Sequence, residues 1–298
     1  IMIIRFLSVT YYNFNSYTIT SNMFIKLIEK KISYSIKKIT EYPLKEIFDQ
    51  VVNQKSNQVI PSNVYQTWEN KLFGKSHYKE IIKFRLINKD LNFYLYDRKK
   101  RDNYIKNNWS HHKIFQIYNN SRFGQMRADI FRYCILYDKG GYYFDINKGC
   151  KVPITSLHKK NTEAFLSNET TECMIPPENN TFKELDYPLN NFLQWGMGFK
   201  KKHSILRLMI ESITNDYVNF KGRKFDKPKT AILALTGTGQ FTKIVRKYIS
   251  KKGTRNLVQS GIFFKNKGIW SMKGSRARHL LVKEYADIRD QRIFKNIC

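Results

Sequence analysis

Four residues near the middle of the chain have the types and spacing to handle a charged, oxygen-rich ligand: Asp129 and Arg132, three apart, and Asp145 and Asn147, two apart. Positions three apart on a helix share a face, so that carboxylate and guanidinium would project together. Positions two apart on a strand share a side. Oxygen ligands so placed can hold one hard cation, magnesium or manganese, which commonly takes one or two carboxylates together with substrate phosphates. A plainer account competes, with Asp129 and Arg132 as an ordinary helix ion pair and Asp145 as a strand-end cap. On spacing alone the plainer account is the stronger. Asn147 brings a carbonyl oxygen but no charge, which weakens metal affinity or removes it.

The elements that must position these groups are legible around them. Ile130, Phe131, Cys134, Ile135 and Tyr137 recur at helical spacing, predicting an amphipathic helix over 124–139. Gly140-Gly141 would end it in the left-handed manner usual at helix ends. Tyr142 to Ile146 is a β-prone run, predicting a buried strand that ends in Asp145-Ile146-Asn147. Upstream, Val59–Trp68 reads as a first strand, 76–89 as a helix and 92–97 as a second strand. Such alternation predicts an α/β fold with a mostly parallel central sheet flanked by helices, its ligands bound at the carboxyl ends of the strands. Trp68, Asp97 and Asp145 each fall at such an end. A basic helical stretch follows Asp97 and holds His111 and His112; adjacent helix residues point apart, which favours a surface or capping position over metal ligation. Later come a strand at 162–168, a loop at 174–180, a helix from Ser204 to Val218 with Ser204 as its cap, a Gly237-Thr238-Gly239 turn, a strand at 257–264, and a basic, partly helical tail.

Four ordered blocks between Val59 and Phe241 resemble a known family. Arg127-Ala-Asp-Ile-Phe-Arg through Gly140-Gly-Tyr-Tyr-Phe-Asp-Ile-Asn147 looks like the DXD-containing sugar-binding region of the glycosyltransferases related to the yeast initiating alpha-1,6-mannosyltransferase and, distantly, to clostridial glucosylating toxin domains. Ile60-Pro61 with Gln66 and Trp68, Asn190–Phe199 before His203, and Thr236-Gly237-Thr238-Gly239 continue the likeness. The resemblance implies a GT-A-like nucleotide-diphospho-sugar transferase fold. It further implies transfer of a hexose, with retained configuration, from a UDP- or GDP-linked sugar to a glycan or protein hydroxyl. Asp129, Arg132 and Asp145 would be the catalytic set, and Gln66, Trp68, Arg127, Tyr143, Thr236 and Gly237 would join them in binding the donor. A divalent cation, manganese or magnesium, would sit on Asp145 and Asn147, with His279 as a further ligand. Trp68 would stack on the base; a buried core Trp is the alternative. Asn147 departs from the pattern's second Asp, which leaves a catalytically impaired sugar-nucleotide binder as an alternative.

The formal charge of +29 invites a nucleic-acid or polyanion reading. The basic residues are spread along the chain, however, and a cationic cleft for a nucleotide diphosphate uses the same charge, so nucleic acid is the weaker partner. Cys134, Cys150, Cys173 and Cys298 show no zinc-like spacing. Residues 1–54 are expected to be an extension ahead of a 55–298 transferase domain. No apolar run there reaches the ~18 residues of a membrane span. A basic amphipathic helix at Phe24–Ile39 would pack on the domain or lie on a membrane surface. Location stays open between a membrane-associated secretory protein and a cytoplasmic one.

Overall fold

Alternating strands and helices produce a seven-stranded mixed sheet in the computed structural model, which describes residues 39–52, 57–173, 187–251, 257–281 and 288–295. The chain divides into two units, Ile1–Tyr42 and Pro43–Cys298. Of the first, only residues 39–42 are described, so the helix expected at Phe24–Ile39 lies outside the described residues apart from Ile39. No helix among the described residues is long and apolar enough to cross a membrane.

The larger unit opens with β1 (Lys45–Glu46), β2 (Asn63–Thr67), β3 (Leu72–Phe73), α1 (Lys75–Ile87) and β4 (Asn92–Tyr96). The single basic helical stretch expected next is two helices, α2 (Arg98–Trp109) and α3 (Lys113–Asn120). His112 caps the second, its Nδ1 accepting from the Ile114 N–H at 3.1 Å. Then come α4 (Gly124–Lys139), β5 (Gly141–Phe144), β6 (Gly149–Cys150), β7 (Ala164–Glu172), β8 (Asn190–Phe192), β9 (Gly196–Phe199), α5 (Ser204–Phe220), β10 (Lys224–Phe225), α6 (Pro228–Leu235), α7 (Thr238–Ile249) and β11 (Leu257–Ile262). The cap of α5 is His203, whose Nδ1 accepts from the Ile205 N–H, and Ser204 is already helical. The strand expected to reach 264 stops at Ile262, because Phe263 to Asn266 all take positive φ and wind one left-handed turn.

The sheet runs β11-β7-β9-β5-β2-β4, with β8 added against β7. β9 lies antiparallel to both its neighbours while β11 and β7, and β5, β2 and β4, pair in parallel. Every strand on that path except β9 therefore points the same way. Both faces are covered. Tyr65 and Tyr143 belong to one apolar layer with α4 and α5, while Val64, Tyr142 and Phe144 belong to the other with α1. Burial on both sides is why β5 reads as an unbroken apolar run.

Two features fix the entry to β5. Gly140 has φ +65° but ψ −176°, so the helix ends in an extended glycine conformation and not the left-handed one expected. A Cβ on Gly140 would lie 2.7 Å from the Lys201 nitrogen, and one on Gly141 would lie 2.4 Å from the Asn63 carbonyl oxygen. Both positions thus require glycine for backbone approach as well as for dihedral reasons. The register Val64 to Tyr142 and Tyr65 to Tyr143 then brings the ends of β2 and β5 side by side.

Candidate active site

Helix α4 is buried almost all round, packed against α3 and α5 as well as against strands of the sheet. Asp129 and Arg132 are consequently a buried polar pair, 7% and 5% exposed, and not a solvated helix ion pair. Buried charges need complete partnering. Arg132 Nη2 lies 3.0 Å from Asp129 Oδ1 and 3.2 Å from Asp145 Oδ1, and Nη1 donates to the Gln194 carbonyl at 2.7 Å. The guanidinium carbon stands 4.5 Å from the centre of the Tyr143 ring, a cation–π contact that fixes its plane. One arginine therefore joins the helix carboxylate to the carboxylate beyond β5.

The remaining bonds make this a network. Thr236 Oγ1 donates to Asp129 Oδ2 at 2.8 Å, Tyr133 donates to the Thr236 carbonyl at 2.8 Å, and Gln194 Nε2 donates to both Tyr133 Oη and that same carbonyl. Tyr143 Oη donates to Asp145 Oδ1 at 3.0 Å. Burial pushes the Asp129 carboxyl up to about 7 against the opposing pull of Arg132 and Thr236. Burial alone would lower the Arg132 pKa, but Tyr143, Asp145 and Asp129 together raise it, so it stays charged. Asp145 is the open member, its side chain 32% exposed.

Asp145-Ile146-Asn147 is not a strand end. β5 stops at Phe144, and the Lys148 N–H donates to the Asp145 carbonyl at 2.8 Å, closing a turn. Strand alternation therefore does not set the relation of residues 145 and 147. The turn does, and both still line one cavity of about 690 Å³. That volume is in the range of small-molecule sites. Trp68, Arg127, Asp129, Arg132, Tyr143 and His279 line it as well. The His279 ring meets Trp68 edge-on at 5.6 Å, and the Arg278 guanidinium lies 5.1 Å from the Trp68 ring centre. Arg127 is tied to the Ser121 carbonyl by Nε and Nη2.

Four of the residues expected at the site lie off the cavity wall. Gln66 is fully buried, lies off the cavity wall, and neither of its amide atoms has a hydrogen-bond partner among the described residues. Thr236 is also fully buried, off the cavity wall, and reaches the site through Asp129 and Gln194. Gly237 is the cap residue before α7, where a Cβ would lie 2.6 Å from the Leu233 Cα, and the cavity is lined instead by Leu233 and Thr238. Asp97 caps α2, accepting from the Lys100 N–H at 2.8 Å, and faces a neighbouring cleft with Glu69 and Asp102. Sequence reasoning gave no role to Tyr133 or Gln194. Gln194 stood inside the resembling block beside Trp195, but nothing local marks a buried amide as a network member.

A divalent cation is tested by the donor set. No group of three His, Cys, Asp or Glu side chains that could hold a metal occurs among the described residues. Asp145 Oδ1 already receives Arg132 and Tyr143, leaving Oδ2 and the Asn147 side-chain carbonyl for a cation. Magnesium-type ions keep several waters and substrate phosphates as ligands, and this pair fits one bound mainly through those. The lining is otherwise cationic, with Arg98, Arg101, Arg122, Arg127 and Arg278 facing a few acids. Such a wall suits a polyphosphate.

Residues 50–164 match the family described as glycosyltransferase sugar-binding region containing DXD motif. The chain is also similar to the Initiation-specific alpha-1,6-mannosyltransferase of Candida albicans (strain SC5314), 28% identical over 229 residues that make up 71% of this chain and 58% of the relative. The chain thus spans less than two thirds of that relative's length. Among solved structures it is similar to the PaToxG Glycosyltransferase, at TM-score 0.47 and 16% identity over 76% of this chain and 77% of that one.

Proposed function

We propose that the protein is a glycosyltransferase of GT-A type that moves a hexose from a nucleotide diphosphate sugar to a hydroxyl acceptor. The observation that carries this reading is Arg132 bridging Asp129 and Asp145 in a cavity that Trp68 also lines. The family match and the mannosyltransferase relative support it. A glycan or protein hydroxyl as acceptor follows from the same likeness.

In this reading Trp68 stacks on the base, using a flat face that every base can cover. Asp129, held by Arg132 and Thr236, accepts hydrogen bonds from sugar hydroxyls, which its ionised form does best. Arg132 is spent on the two carboxylates and the Gln194 carbonyl, so its task is to fix Asp129 and Asp145 at a set separation. The acceptor hydroxyl oxygen bonds to the anomeric carbon as the bond from that carbon to the diphosphate oxygen breaks, and the hydroxyl proton passes to the leaving diphosphate. Negative charge grows on that diphosphate, and the arginine-lined wall offsets it where it grows. A manganese or magnesium ion on Asp145 and Asn147 would supply Lewis-acid stabilisation of the same charge. Retained configuration follows if acceptor and leaving group share one face of the sugar.

Hydrolysis of UDP- and GDP-sugars, with and without manganese, is the test. Turnover of at least one donor, lost in Asp145→Asn, is the expected result. No turnover of any donor, together with no nucleotide binding, would overturn the proposal. Asn147 favours one second reading, a sugar-nucleotide binder without turnover. It is distinguished by nucleotide binding in the native chain with hydrolysis appearing only in Asn147→Asp.

A further inference from the structure

The Asp145–Asn147 turn is fastened from several directions. The Asp145 N–H donates to the Trp195 carbonyl at 2.8 Å, the Asp145 carbonyl accepts from Lys148, and the Asn147 carbonyl accepts from the Met272 N–H at 2.9 Å. All of these are backbone bonds. The central carbonyl, that of Ile146, is met by a side chain, His77 Nε2 at 3.0 Å. His77 sits in the first turn of α1, is fully buried, and abuts the Phe73 ring edge-on at 5.2 Å.

A carbonyl oxygen only accepts, so this contact requires a proton on His77 Nε2. The other nitrogen, Nδ1, is buried with no hydrogen-bond partner among the described residues. Burial first, and Arg278 in lesser part, hold the ring well below its usual range, at about 4, so it is neutral with a single proton. A buried imidazole with one unsatisfied nitrogen is costly to keep. Phenylalanine or leucine would fill the space without that cost, but would leave the Ile146 carbonyl unmet.

We propose that His77 is a positioning residue, a neutral Nε2–H imidazole that pins the Ile146 carbonyl and thereby sets the spacing between the Asp145 and Asn147 side chains. Its effect on ligand affinity rests on the donor-site reading above, whereas its effect on the turn does not.

The tests separate the two. In the native protein, nitrogen-15 shifts of labelled histidines should show His77 as the Nε2–H tautomer; an Nδ1–H tautomer or a charged ring overturns the proposal. In hydrogen–deuterium exchange, peptides covering 141–150 should exchange at least tenfold faster in His77→Phe than in the native chain. His77→Gln, which keeps an N–H at similar reach, should restore slow exchange. Equal exchange in a folded His77→Phe, or no rescue by His77→Gln, also overturns it. Should His77→Phe not fold, the tautomer decides. Affinity for UDP and for GDP with manganese, read by calorimetry, should fall about tenfold in His77→Phe and recover in His77→Gln. If the native chain binds neither nucleotide, the donor-site reading fails while the exchange result still judges His77.

Discussion

The two carboxylates that share Arg132 live in opposite surroundings. Asp129, on a helix buried on nearly every side, has both oxygens engaged, one by Arg132 and one by Thr236. Asp145, at the start of a four-residue turn at the edge of the cavity, is a third exposed and has bonds to one oxygen alone among the described residues. The helix side is a finished polar network, and finished networks rigidify. The turn side is held chiefly by its backbone and leaves side-chain oxygens for a ligand. A site that must grip a sugar in one orientation and still admit a charged diphosphate has reason to divide the work this way.

The largest expected effect comes from breaking the link between the two sides. Arg132→Met should leave Asp129 buried beside nothing positive and cost about 3–5 kcal/mol of stability, read as the urea midpoint, with donor turnover lost. A midpoint unchanged within error would mean that the bridge does not hold the helix side together.

Truncating the open side should act on binding more than on folding. Trp68→Ala is expected to weaken nucleotide affinity by about 1–3 kcal/mol, the usual worth of base stacking, with a smaller change in melting temperature. A Trp68 that serves only the core would show the reverse. Asn147→Asp adds a charge beside Asp145 and should tighten manganese binding on the order of tenfold, measured by competition with a chelating dye. Unchanged affinity would place Asn147 outside the cation's reach.

The smallest effect is a pH dependence set by the buried carboxylate of the helix side. The Asp129 carboxyl is raised to about 7 by burial, so between its ordinary value and 7 the folded chain holds a proton that the unfolded chain releases. Stability should therefore fall as pH rises through that window. Glu169, also raised to about 7 by burial, contributes with the same sign. Asp129→Asn should flatten the slope in part, as read from denaturation midpoints at several pH values; an unchanged slope would mean that Asp129 does not carry it.

Much of this arrangement was legible in the chain because it is local. The helix over 124–139, the two glycines, and the strands at 63–67 and 92–96 each announce themselves through periodicity or residue type. The pairing of Asp129 with Arg132 follows from helical spacing alone. Errors arose where local rules compete. A run of β-prone residues does not say where the strand stops, so the turn at Asp145 looks like strand in the sequence. A histidine and a serine side by side are both capable caps, and the backbone chose His203.

What the sequence by itself determined, then, is the set of elements and the polar residues each one carries. Only the tertiary structure decided that Arg132 would reach Asp145, that Gln194 would lend its carbonyl from 62 residues away, and that Thr236 would close on Asp129 across 107. Periodicity reports which face of one element is buried; it holds no information on which other face arrives to bury it. Those partners are set by the packing of both layers onto one sheet, where close-packed side chains leave each buried charge few places to find its complement.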